Sequence, residues 1–150
     1  MKEYEYSFKV ESLKPYIDYA VNNGYEEISN NNEIRDLYSN DSSKIARLTY
    51  INDSIILDFK EKGDTSIILK EREESEPIQA NKEEKETILS ILDVLNYKMI
   101  NHLERKRIVF KKNNVKFELD SYTYPNKEFI VGIEGKKEEV DKVYNELKQS

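Results

Sequence analysis

Charged side chains occupy every second position in one strand-like segment after another, and any chemistry this chain performs would reside there. Glu3-Tyr4-Glu5-Tyr6-Ser7-Phe8-Lys9-Val10 puts Glu3, Glu5, Ser7 and Lys9 on one face and Tyr4, Tyr6, Phe8 and Val10 on the other, because side chains alternate along a strand. Glu3 and Glu5 point the same way and would share a hydrated divalent ion. The same face collects Arg47, Asp58 and Lys60, then Lys70, Arg72 and Glu74, then Arg105 and Arg107, and finally Lys116, Glu118, Asp120 and Glu134. Apolar counterparts such as Phe117 with Leu119 and Val131 with Ile133 set the register, which a one-residue slip would invert. Many Arg and Lys beside fewer carboxylates suit a polyphosphate held with a metal. Guanidinium groups match phosphate oxygens in pairs, and carboxylates hold Mg²⁺ or Mn²⁺.

The elements that must position these groups read in order as strand, helix, four strands, helix, three strands, helix. Ser12 is an N-cap for Leu13, Tyr16, Ile17, Ala20 and Val21 at helical spacing, with Gly24 as the stop. Strands are expected over 34–38, 44–51, 54–60 and 65–74, with Asn52-Asp53 and Gly63-Asp64 as turns and Pro77 ending the block. The second helix carries Ile88, Leu89, Ile91, Leu92 and Leu95 as its buried stripe. Strands over 99–110, 115–121 and 128–134 follow, and a last helix places Val140, Val143, Tyr144 and Leu147 on one side. Three amphipathic helices cover the apolar strand faces, so the charged faces turn toward one another if the sheet closes. The expected class is α+β: an antiparallel, closed or nearly closed barrel of about eight strands with helices outside.

Composition narrows the partners. At 150 residues the chain reads as one domain, 1–150, with no linker long enough to divide it. Its 37% hydrophobic and 36% charged content fits a domain that holds charge inside as well as outside. A net charge of −6 argues against general DNA or RNA binding but leaves room for a local basic pocket. Four glycines assemble no phosphate loop, and one histidine with no cysteine excludes the common zinc sites. If phosphate is bound, side chains must bind it. No apolar run would cross a bilayer and the Met-Lys-Glu start lacks a leader core, so a cytoplasmic location is expected.

Taken in this order the residues resemble the CYTH superfamily, the triphosphate tunnel enzymes that include class IV adenylyl cyclases and thiamine or inorganic triphosphatases. The family opens on a Glu-x-Glu-x-Lys strand, and Glu3-Tyr4-Glu5-Tyr6-Ser7 stands in that place. Arg47, Lys60 and Arg72 with Glu74 and Glu76 match its middle; Arg105-Lys106-Arg107 and Phe117-Glu118-Leu119-Asp120 match its later basic strand and aspartate. Gly132-Ile133-Glu134-Gly135 matches its closing acidic pair. The resemblance implies that Arg47, Lys60, Arg72, Arg105 and Arg107 bind phosphate. It implies that Glu3, Glu5, Asp120 and Glu134 hold Mg²⁺ or Mn²⁺. Three positions depart from the pattern: Ser7 replaces a lysine, Gly132 replaces a glutamate, and Thr49 stands where a second arginine is common.

Each residue also admits a plainer reading. Glu3 and Glu5 taken alone would decorate a solvated edge strand, and the interior bases would pair with interior acids, since buried charge needs partners. His102 reads as structural or superficial. The expected function is metal-dependent hydrolysis of an inorganic or organic triphosphate. A cyclase making cyclic AMP from ATP is the alternative enzyme, and a catalytically weakened nucleotide- or polyphosphate-binding module is the alternative without catalysis. No residue stands out as a dedicated general base. Oligomeric state stays open, a homodimer included.

Overall fold

The computed structural model describes the backbone of residues 2–62, 69–73 and 75–149 and the side chains of 4–62 and 75–148. The chain runs β1 (Lys2–Val10), α1 (Lys14–Asn22), β2 (Glu26–Ser39), β3 (Lys44–Ile51), β4 (Ser54–Glu61), β5 (Leu69–Glu73) and β6 (Ile78–Asn81). It continues with α2 (Lys85–Val94), β7 (Lys98–Lys112), β8 (Val115–Tyr124), β9 (Glu128–Gly135) and α3 (Lys137–Gln149). One antiparallel sheet holds the strands in the order β5-β1-β9-β8-β7-β2-β3-β4-β6. The class is α+β, as expected.

The sheet has nine strands among the described residues, where about eight are expected. The added one is β6, a four-residue strand just past Pro77 that pairs with β4. β2 begins at Glu26 rather than at the expected Ile34, and Asn30, Asn31 and Asn32 pair residue by residue with Ile108, Arg107 and Lys106 of β7. Long-range pairing overrides low strand propensity there. Residues 65–68 of the expected fifth strand lie outside the described residues.

The sheet edges approach each other through one short stretch of chain. β5 pairs with β1 at one edge and β6 pairs with β4 at the other, and only residues 74–77 separate β5 from β6. Ser75 stitches the gap: its N–H donates to the Phe59 carbonyl at 3.0 Å, and its hydroxyl accepts from the Phe59 N–H at 2.9 Å. The ladder stays open between β5 and β4, but the chain itself bridges it, giving a tunnel wall.

Two apolar clusters hold helices against the outer face. Under α1 and α3, Phe117, Leu119, Val131, Ile133 and Val140 are fully buried, and Tyr6 and Phe8 pack against them. Burial stabilises by about 1.5–3 kcal/mol for each large side chain. Tyr6 stacks on Tyr144 with centroids 4.0 Å apart and donates to Asp141 at 2.7 Å, so β1 is fastened to α3. Under α2 lie Leu48, Ile55, Leu92 and Tyr97. Of the expected stripe on α2, Leu92 is buried while Ile91 and Leu95 are exposed. The helix is only ten residues long and ends before Asn96, whose φ is +63°, so it covers a narrower strip than its apolar content implies. Among the described residues, no helix is long and apolar enough to cross a membrane.

Candidate functional site

Strand alternation turns the charged faces inward around a cavity of about 470 Å³. Glu5, Arg47, Lys60, Arg105, Arg107, Asp120 and Glu134, each expected from sequence, all line it. Backbone register sets Glu3 opposite Arg72 across β1 and β5; the side chains of Glu3 and Arg72 lie outside the described residues. A smaller chamber of about 160 Å³ continues past the arginines and adds Leu37, Ile45 and Leu103 to its wall.

At one place three carboxylates meet. β1 and β9 put Glu5 directly opposite Glu134 and Ser7 opposite Gly132, while β8 puts Glu118 on the other side of Gly132. Gly132 has no side chain, and a Cβ there would lie 3.7 Å from Glu118 Oε1 and from Glu5 Oε2. The bare backbone of Gly132 thus lies between Glu118 and Glu5, within ordinary contact distance of both. One oxygen from each of Glu5, Glu118 and Glu134 falls within 4.8 Å of the others.

The electrostatics of this trio divide its members. Burial, then the adjacent charge and hydrogen bond of Glu118, then Glu5, push the Glu134 carboxyl far above the usual range. Burial would raise Glu118 too, but the Arg107 guanidinium and the hydrogen bond from Glu134 outweigh it and hold Glu118 well below. Glu134 thus carries the proton and Glu118 the charge. Three crowded carboxyls, with a proton on Glu134, are a donor set suited to a hard divalent cation, which would take the proton's place. The residues fit Mg²⁺ or Mn²⁺.

A belt of arginines lies beyond. Arg107 donates to Asp120 through Nε and Nη2 at 2.7 and 2.8 Å and to Glu118 through Nη1 at 2.7 Å. Arg105 donates Nε and Nη2 to Glu33 Oε1 at 3.1 and 2.9 Å, donates Nη1 to the Tyr122 hydroxyl at 2.9 Å, and sits 3.6 Å from Asp120. Arg47 pairs with Asp58 in the same two-pronged way. Asp120 is therefore engaged by two guanidiniums and stands apart from the trio.

Sequence reasoning assigned no role to Arg35, Glu33 or Tyr122, and it placed Glu118 and Asp58 on the face without naming them as site residues. Arg35 was obscured because its strand alternates against apolar Leu37 on the same face. His102 lies outside this cavity. Its Nδ1 contacts Asp36 at 2.5 Å and its Nε2 contacts Glu104 at 3.1 Å.

No family model and no curated protein matches the sequence. Solved structures do. A protein from Pyrococcus horikoshii superposes with a TM-score of 0.73 at 19% identity, over 98% of this chain and 88% of its own. A candidate adenylyl cyclase from Hippeastrum, described as having a dominant triphosphatase activity, matches with a TM-score of 0.69 at 12% identity, over 96% of this chain and 84% of its own. A chain of the Schizosaccharomyces pombe Mediator head module matches with a TM-score of 0.63 at 7% identity, over 91% of this chain and 83% of its own. At such identities the likeness is one of fold, and one fold hosts several functions. The chain shares the fold of these neighbours, an antiparallel sheet with outer helices that here surrounds a charged cavity.

Proposed function

We propose that the chain binds a triphosphate-containing substrate in the charged cavity and hydrolyses it with Mg²⁺ or Mn²⁺. The observation that carries this reading is the Glu5–Glu118–Glu134 trio, within 4.8 Å, in the same cavity as four arginines. Glu5, Glu118 and Glu134 would hold the ion, with Glu3 as a further ligand from the same strand face. When bound, the ion supplies neutralising charge and a more acidic water. Glu134 gives up its proton on loading, and Arg107 keeps Glu118 ionised beforehand.

Arg105 and Arg107, together with Arg47, Lys60 and Arg72, take the phosphoryl oxygens and stabilise the charge that builds on them. Asp120 serves in this reading as the clamp that orients Arg105 and Arg107. A cytoplasmic location belongs to the same proposal.

A second reading, a binding module without turnover, is favoured by one observation. Ser7 and Gly132 face each other in register, so the two positions bare of the family's lysine and glutamate are adjacent. Phosphorus NMR separates the readings. Tripolyphosphate, ATP and thiamine triphosphate are incubated in turn with the protein and Mg²⁺ or Mn²⁺. Orthophosphate release abolished by Glu134→Ala and Arg107→Ala supports the hydrolase. Pyrophosphate with cyclic AMP makes the protein a cyclase, and binding with no product makes it a binding module.

A further inference from the structure

Among the described residues, three of the four arginines lining the cavity already have carboxylate partners: Arg47 with Asp58, Arg105 with Glu33 and Asp120, Arg107 with Glu118 and Asp120. Arg35 differs. Its Nε donates to the Thr49 hydroxyl at 3.0 Å, and among the described residues no carboxylate lies within ion-pair distance of it. We propose that Arg35 is the anion anchor of the cavity, its guanidinium oriented by Thr49 and reserved for a phosphoryl oxygen of the bound ligand. This rests on the triphosphate reading above and adds a residue and a mechanism to it.

Position and energetics agree with that role. Arg35 lines both the charged cavity and the smaller chamber, as do its carboxylate-paired neighbours Arg47 and Arg105. A phosphate held by Arg35 therefore sits at the junction of the two. Burial, then the neighbouring charges of Arg105, Arg107 and Arg47, lower the Arg35 pKa to about 9. A guanidinium in that condition is relieved by an incoming anion. Thr49 contributes a single neutral acceptor to Nε, which fixes the plane of the group and leaves its terminal nitrogens to the ligand. A merely structural arginine would be expected to hold the fold together; this one opposes its neighbours.

The test is calorimetric titration with tripolyphosphate in EDTA, so that the anion site is read without metal, alongside thermal melts. Arg35→Gln should weaken binding about tenfold to a hundredfold, the loss of a charge-assisted contact. The same variant should melt no lower than the parent, because it removes a repelled charge. Arg35 and Thr49 are opposite each other in register, so the double variant Arg35→Thr/Thr49→Arg returns a guanidinium from the next strand and should restore most of the affinity. Unchanged affinity in Arg35→Gln overturns the assignment, as does a melting temperature that falls while binding holds. If the parent itself fails to bind tripolyphosphate, the triphosphate reading falls first and this assignment with it.

Discussion

Glu118 of β8 and Glu5 of β1 flank the bare backbone of Gly132, and an oxygen of each lies within 4.8 Å of the other and of Glu134. The register also places Ser7 on the far side of Gly132. Ser7, Gly132 and Glu118 form one row, and what is put at the first two positions must be judged together.

Gly132→Glu alone adds a fourth acid beside Glu5 and Glu118. In EDTA it should lower the melting temperature. Ser7→Lys places an ammonium directly opposite, so the double variant should recover stability, with a coupling of about 0.5–3 kcal/mol. Urea denaturation of the four proteins in the cycle measures it; strictly additive effects would mean that the two side chains do not meet.

Glu134 makes stability depend on pH in a definite direction. Its folded pKa is raised above the unfolded value of about 4.3. Between those values the folded chain keeps a proton that the unfolded chain has lost. Stability from this group therefore falls as pH rises above about 4.3. Glu134→Gln should flatten that slope when denaturation is followed in EDTA at several pH values. Mn²⁺ should raise the melting temperature of the parent by mass action, about 2.7 kcal/mol at a hundredfold excess over Kd, and raise that of Glu134→Gln much less.

Asp120 and Glu5 should respond in opposite ways to neutralisation. Asp120 is buried and holds Arg105 and Arg107. Asp120→Ala leaves both short of charge and should cost about 3–5 kcal/mol in chemical denaturation. Glu5→Gln relieves a crowded trio and should leave stability in EDTA unchanged or higher, while weakening the Mn²⁺ response. An Asp120→Ala protein as stable as the parent would place Asp120 with the ion rather than with the arginines.

His102 is the only histidine, so one imidazole resonance reports it. Hydrogen bonds to Asp36, then to Glu104, raise its pKa. The stability it contributes is fully present below the unfolded value of about 6.5 and is lost as pH rises through the folded one. An NMR titration should give a midpoint above 6.5 in the parent and a lower one in Asp36→Asn.

Alternation makes most of the cavity lining legible in the sequence. Phe117 and Leu119 pack under α1 and α3, so Glu118 and Asp120, alternating with them, had to face inward. What alternation cannot show is which inward groups meet. Glu118 joins Glu5 and Glu134 because β9 lies between β8 and β1 in this register, and Asp120 is drawn to Arg107 by the pairing of β7 with β8. Arg35 escaped notice because Leu37, two residues on, faces the same interior and makes that strand look buried on both sides. β6 escaped because four residues after a proline carry too little pattern, and Ile78 and Gln79 are exposed.

The pairing of β1 with β9 has a consequence for how the molecule comes into being. Glu5 and Glu134 are direct partners in the ladder although the whole succession of hairpins lies between them. Contacts this distant in sequence form late and slowly, because a long loop must close before they repay its entropy. Synthesis delivers residue 5 long before residue 134, and until both are present β1 lacks one of its two neighbours. On the reading proposed above, a divalent ion would therefore find its three glutamates together only after β9 has docked between β8 and β1.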